Sequence, residues 1–433
     1  MGYSKQINYI IEKGSQFIND NPEIIRGIYK EISYNDEPKF YGYGIYFNDK
    51  YSNGDNEDAV AAGVSFDKEK ALAKVLGETV ERYSLSANNS EAFVFESFSK
   101  LNSLRNQALD PKSLIPFSHK ESFTTGLDDK KLHWVQGKFL ISGKKVLTPA
   151  QLVYVPYSYH NSEPLLRFSI STGAAAGMSL DDALYRGICE VVERDAFMIA
   201  YLNKISSPKI DLLSIKDKTI YDIVNMFKRY KLELFILDLT TDLQIPVFAA
   251  ITLDRTGIGP AVSVGIKAGL NIKDAIIGAI EESLMVRTWI RDKFIYSEPN
   301  YKRGKEIITI DDRAHFWLPV NSIRYLNFWL KGKNFRKIEI KNPKYSQSNL
   351  RKATKLLKDR KIEVIYVDIT DKKVKKYGFA VVKVIIPQLQ PLYLDERYPY
   401  LGGTRLFQAP VKMKVLKKAN TESHLNKIPH PFL

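Results

Sequence analysis

Three segments of this chain repeat one another, and each carries a glutamate to the same helical position. Gly63-Val64-Ser65-Phe66 precedes Ala71-Leu72 and then Glu78, Glu81 and Arg82. Gly177-Met178-Ser179-Leu180 precedes Ala183-Leu184 and then Glu190, Glu193 and Arg194. Gly269-Leu270-Asn271-Ile272 precedes Ala275-Ile276, Glu282 and Arg287. In every copy the glutamate falls seven residues after the alanine. Residues three or four apart share a helix face, so Glu78 with Glu81, and Glu190 with Glu193, are paired carboxylates on single stripes. One such pair is ordinarily a surface ion-pair stripe with arginine one turn away. Here the flanking residues (Val75, Leu76, Val80; Ile188, Val191, Val192) are core formers, and carboxylates at the edge of a core need positive partners.

Oxygen-rich sets of this kind suit hard cations, and magnesium is the usual choice when phosphates complete its octahedron. Glu78, Glu81, Glu190 and Glu193 are the candidate metal ligands, with Glu282 joining them from the third copy. Arg82, Arg194 and Arg287 are candidate forked donors to phosphate oxygens, or else partners of the glutamates one turn away. The six histidines show no paired ligand spacing, which disfavours zinc. No G-x-x-x-x-G-K-[ST] loop occurs, and no G-x-G-x-x-G opens a helix after a strand. A nucleotide would therefore be held through metal and side chains. Glycoside hydrolysis also uses paired acids but does not call for them on one helical stripe.

The 433 residues exceed the usual size of a single core, so two or more lobes are expected. No apolar run is long enough to span a membrane and no targeting segment opens the chain, which reads as a soluble cytoplasmic protein. The lone Cys189 excludes an internal disulfide and is read as a buried apolar residue. The net charge of +15 is spread along the chain without a recognisable nucleic-acid reader, so no nucleic-acid partner is expected.

The elements that must position the glutamates follow from periodicity. The fold class is α+β, with pseudo-symmetric helix-on-sheet units and a nucleotide site between the repeated helices. A helix near residues 220–230 precedes apolar strands at 232–240 and 245–251; a second, near 350–359, precedes strands at 362–370 and 379–386. Strands are also expected at 40–44, 138–141 and 151–155, a helix at 180–202, and a mobile loop at 296–312. The division expected is an N-terminal lobe over 1–160, a central core over 161–400 and a terminal segment over 401–433. The closing Pro429-His430-Pro431-Phe432-Leu433 favours an extended tail, docked through its aromatic and prolines.

With these residues in place the chain resembles the YcaO family, closest to the streptolysin-type cyclodehydratase D proteins. The resemblance runs through Ala71 to Arg82, Ser171 to Gly177, Glu190 to Asp195, Glu282 with Arg287, Ile386-Pro387-Gln388-Leu389-Gln390-Pro391, Leu401-Gly402-Gly403 and the proline-rich end. It implies an enzyme using ATP and Mg2+. A Cys, Ser or Thr side chain of a ribosomal precursor peptide adds to the preceding carbonyl, and phosphorylation of the oxygen drives formation of an azoline. It also implies that Pro429, Pro431 and Leu433 sit at the reacting centre, where the carboxylate of Leu433 would accept a proton.

A ThiF-like or ocin-type protein is the partner implied for reading the leader of the peptide, and a homodimer is common among such proteins. Two alternatives remain open. Sulfide or an amine could replace the side-chain nucleophile, giving a thioamide or amidine. The chain could also be a non-catalytic peptide-binding scaffold whose glutamates only brace helices.

Overall fold

In the computed structural model, which describes residues 3–48, 60–87, 93–104, 107–118, 121–159, 163–294, 302–340 and 348–433, each glutamate helix packs on a strand at a glycine. A Cβ on Gly63 would lie 2.3 Å from the Val75 nitrogen, one on Gly177 2.4 Å from the Ala183 nitrogen, and one on Gly265 2.2 Å from the Ala279 oxygen. Any larger residue would push helix from strand. The helices themselves span Lys68–Ser86, Leu180–Leu202 and Ile272–Phe294. Their first turns are capped by Asp67, Ser179 and Asn271, whose side-chain oxygens accept from the Lys70, Asp182 and Lys273 amides at 2.9, 3.2 and 3.1 Å. Such caps satisfy donors that helix geometry leaves unpaired.

The chain divides into two compact units that interleave along the sequence. The first comprises Met1–Ile32, Phe40–Val191 and Ser348–Gln388, the second Ser33–Lys39, Val192–Gln347 and Leu389–Leu433. These limits cut across the contiguous segments expected from composition, because late strands return to an early sheet.

In the first unit, strands β1 (Ile25–Glu31), β2 (Tyr41–Phe47) and β3 (Val60–Ser65) form an antiparallel sheet under the helix Lys68–Ser86, which in turn carries the helix Tyr3–Asp20. A second, antiparallel sheet is built from β4 (Val94–Ser97), β5 (Lys131–Phe139), β6 (Lys145–Pro149) and β7 (Ala174–Gly177). The late strands β13 (Ile365–Asp368) and β14 (Ala380–Ile385) complete it, in the order β4-β5-β13-β14-β7 with β6 also on β5. In the second unit, β8 (Lys209–Ile210), β9 (Glu233–Asp238), β10 (Val247–Leu253), β11 (Val262–Ala268) and β12 (Phe335–Arg336) run in the order β11-β10-β9-β8-β12. Only the β8/β12 pair in that sheet is parallel. Every residue of β10 is buried, and the helix Ile272–Phe294 covers β10 and β11.

The helix-and-hairpin duplication is present in both units. The helix Lys218–Arg229 leads to β9 and β10, and the helix Asn349–Lys358 leads to β13 and β14. The copies share detail. Each helix exits through a lysine of positive φ, Lys231 at 57° and Lys361 at 58°. Each hairpin begins its turn with an aspartate accepting from the threonine amide two residues on, Asp238 to Thr240 and Asp368 to Thr370, both at 3.0 Å.

Two expectations need correction. The strand placed at 151–155 lies earlier, at Lys145–Pro149, and Ala150–Leu152 is a 3-10 turn. The Val153 and Tyr154 N–H groups close on the Ala150 carbonyl at 2.9 and 3.1 Å, a turn that takes them out of a ladder, and the buried Gln151 amide beside it takes up the Leu166 N–H at 2.9 Å and the Pro164 carbonyl at 3.0 Å. The loop expected at 296–312 is partly helical, with Gly304–Glu306 in a 3-10 turn and Ile310–Trp317 in an α-helix whose Thr309 and Asp312 form a capping box. Its first part, 296–301, lies outside the described residues.

Candidate active site

Each glutamate reaches back from its helix to a backbone N–H of an adjacent strand or its lead-in. In the first unit, Glu78 accepts from Ala62 at 3.3 Å, Glu81 from Ala176 at 3.3 Å and Glu190 from Gly173 at 3.0 Å. In the second, Glu193 accepts from Ala268 at 2.7 Å and Glu282 from Ile266 at 2.5 Å. A carboxylate accepts up to about four hydrogen bonds, so one such tether fixes the side chain without exhausting its oxygens. The repeat thus encodes an orientation as well as a residue type.

Glu78, Glu81 and Glu190 are partly exposed and electrostatically coupled. Burial raises the Glu78 carboxyl, against the pull of Arg82, whose guanidinium lies 3.4 Å away. Burial, then repulsion from Glu190 and Glu78, pushes Glu81 up to about 8. The glutamates crowd one another in the way a bound cation would relieve.

This has a pH consequence. A carboxyl whose folded pKa lies above its unfolded value holds extra protons in the native state, so its contribution to stability falls as pH rises between the two values. For Glu81 that window runs from about 4.5 to about 8. The Glu81→Gln variant should lose this downward slope, which thermal melts of both proteins across that range would measure. Identical pH profiles would contradict the coupling.

In the second unit Glu193 is buried, with Lys267 Nζ 3.3 Å from its carboxylate. Glu282 is raised to about 7 by burial, opposed by the positive charges of Arg194 and Lys267. The Arg194 guanidinium stacks over Phe432, 4.2 Å from the ring centre. Arg194 thus touches the closing pentapeptide, and the tail is docked as expected. Tyr201 and Trp317 donate to the Pro429 carbonyl at 3.0 and 3.2 Å, and Arg313 donates to that of His430 at 3.0 Å. Phe432 is buried against Phe197, and Leu433 packs on Val286, Ile290 and Ala314. Pro429 and Leu433 are thus held by these partners, and Pro431 between them is buried.

Arg287 has another role than the phosphate donor expected. It is buried, and all three guanidinium nitrogens are engaged: Nε and Nη2 with Glu37, Nη2 also with Asp254, and Nη1 with the Pro260 carbonyl, at 2.7–2.8 Å. Removing Glu37 leaves Asp254 as the carboxylate on Arg287, so the cost is part of the ~3–5 kcal/mol that a fully broken buried pair carries. Glu37→Gln should therefore lower the unfolding free energy markedly in denaturant titrations, with nucleotide affinity little changed in the folded protein. A second buried network, Asp195 with Arg405 and Asp242, has Arg405 Nε 2.8 Å from Asp195 and Nη2 2.7 Å from Asp242. Asp195 also accepts from the Gln390 amide at 2.8 Å, so this network pins the chain that leads to the tail.

Among the described residues, no three acidic, histidine or cysteine side chains converge closely enough to hold an ion unaided. Magnesium does not require that. It is commonly bound by one or two carboxylates, with phosphate and water completing its octahedron. The oxygen donors of Glu78, Glu81 and Glu190, partly open to solvent, fit a cation that arrives with phosphate. One further charged residue, Lys383 of β14, was not singled out from the sequence; its signal was a lone lysine within Val381-Val382-Lys383-Val384-Ile385-Ile386.

Comparison with known proteins agrees with this chemistry. Residues 62–390 match the family described as YcaO cyclodehydratase, ATP- and Mg2+-binding. An uncharacterized protein of Methanothermobacter thermautotrophicus is 26% identical over 350 residues, covering 79% of this chain and 84% of the relative. The fold is similar to that of a heterocyclase in complex with substrate and cofactor, at TM-score 0.81 and 22% identity; the match covers 99% of this chain and 57% of the heterocyclase. This chain thus spans little more than half of that protein. It is also similar to YcaO from Methanopyrus kandleri bound with AMPPCP and Mg2+, at TM-score 0.64 and 16% identity, over 91% of this chain and 93% of the other. With its repeated glutamate helices inside a match that covers most of its length, the chain belongs to the YcaO family.

Proposed function

We propose that this protein activates backbone amides of a ribosomally made precursor peptide and closes azoline rings from Cys, Ser or Thr. The observation that carries the reading is the coupled set of Glu78, Glu81 and Glu190, each tethered by one backbone N–H and crowded enough to favour a cation. In the first unit we assign Glu78, Glu81 and Glu190 to magnesium and nucleotide and Arg82 to phosphate oxygens; in the second unit, taken by itself, we assign Glu193 and Glu282 to magnesium and nucleotide and Arg194 to phosphate oxygens. ATP would supply the phosphoryl group that makes an amide oxygen a competent leaving group, with its charge offset by magnesium.

The chain's own contribution is orientation. Strand amides fix the carboxylates, and the receptor of Tyr201, Trp317 and Arg313 fixes the pentapeptide that ends in Phe432 and Leu433. We assign Pro429, Pro431 and Leu433 to the reacting peptide, on the strength of the contact between Phe432 and Arg194. A ThiF-like or ocin-type protein would capture the leader of the peptide.

Mass spectrometry of a precursor peptide from the same gene neighbourhood, incubated with the protein, its partner, ATP and magnesium, tests the reading. Loss of one water per modified residue, dependent on ATP, is expected. Exchange of oxygen for sulfur would move the assignment to thioamide formation, and no ATP-dependent mass change would overturn it.

A further inference from the structure

Lys383 is buried, 1% exposed, in the middle of an apolar strand. A buried ammonium is expensive unless hydrogen-bonded and balanced by negative charge. The Lys383 Nζ donates to the Ile170 carbonyl at 2.6 Å. Burial pulls its pKa down to about 7, with Glu190 and Glu81 working against that shift and Arg167 and Arg82 adding to it.

The carbonyl it holds belongs to the segment that leads into β7. In that segment Ala174 donates to Ser171 at 2.8 Å, Val384 donates to the Gly173 carbonyl at 2.7 Å, and Gly173 donates to Glu190 at 3.0 Å. Gly173 has φ of +87°, and a Cβ there would lie 2.2 Å from the Val384 oxygen, so the backbone path is closely determined. Across the ladder Lys383 pairs with Ala174, two residues before Ala176, whose N–H holds Glu81. The lysine therefore ties down the stretch of chain whose amides orient two of the three glutamates.

We propose that Lys383 is a positioning residue of the glutamate site, its Nζ clamping residues 170–173, the segment whose amides orient Glu190 and lead to the one that orients Glu81. The inference rests on those glutamates serving magnesium and nucleotide, but the clamp is measurable without either. Active-site geometry tolerates displacements of only about 0.5 Å, so a loosened lead-in would misplace Glu190.

The test compares the full chain with Lys383→Met, which keeps the stem and removes the charge, and Lys383→Arg, which keeps charge and donors. Amide hydrogen exchange is followed over residues 170–176 without nucleotide, and AMPPCP with Mg2+ is titrated by calorimetry. Lys383→Met should exchange faster there and bind about tenfold or more weakly, as loss of a charged hydrogen bond implies, while Lys383→Arg stays within about threefold of the unmodified chain. Unchanged exchange or unchanged affinity in a folded Lys383→Met protein would overturn the proposal. Should that variant not fold, Lys383→Arg decides: affinity near that of the unmodified chain supports the role, and a loss of about tenfold at equal melting temperature contradicts it. Failure of the unmodified chain to bind AMPPCP would instead remove the reading of the glutamates, leaving the exchange data to judge the clamp alone.

Discussion

Glu190→Gln should abolish ATP turnover while leaving the fold standing, with a fall of about 100-fold or more in activity. Glutamine has nearly the same shape, and its amide oxygen can still accept the Gly173 N–H that tethers Glu190 at 3.0 Å. What disappears is the negative charge, which repels Glu81 and at the same time supports the buried Lys383, so its removal has opposing effects on the fold. Melting temperatures of the two proteins should agree within a few degrees, about the shift that 1 kcal/mol produces. Unchanged turnover at saturating peptide would remove Glu190 from the metal site.

Deletion of residues 429–433 should stop product formation and also destabilise the protein. The carbonyls of Pro429 and His430 satisfy buried donors of Tyr201, Trp317 and Arg313, and Phe432 is almost fully buried. A buried donor left unpaired costs about 1–3 kcal/mol, and a buried Phe contributes about 1.5–3 kcal/mol. The tail is thus part of the core of its unit. Loss of stability alone therefore does not prove a role in chemistry, and the Pro431→Ala variant, which keeps those hydrogen bonds, separates the two. It should melt close to the unmodified chain and still form little product. Full yield from either variant would contradict a tail acting at the reacting peptide.

The parts of this fold that obey a local period could be read in the sequence. The glutamate spacing gave three helices, one with its limits at residues 180–202, because amphipathic stripes and capping residues are encoded within a few positions of one another. The duplicated helix-and-hairpin likewise rests on contiguous apolar strands. Contacts made across long stretches of chain were hidden. Arg287 shares its helix with Glu282 and looked like a phosphate donor, yet Glu37, 250 residues earlier, claims it. The partners of the tail lie over 100 residues away, with Arg313 117 positions from His430 and Tyr201 228 from Pro429. Lys383 faces Ala174 only because β14 returns to a sheet that β7 borders. The Ala150 carbonyl broke a plausible strand by drawing the Val153 and Tyr154 N–H groups into a turn.

Whether crowded, backbone-tethered glutamates hold a magnesium nucleotide is answered most directly by calorimetry of the full chain with AMPPCP in the presence and absence of Mg2+. Saturable binding that needs the metal and is lost in Glu190→Gln is the predicted result. No binding at millimolar nucleotide, from protein shown to be folded, would leave the glutamates as braces between helix and strand.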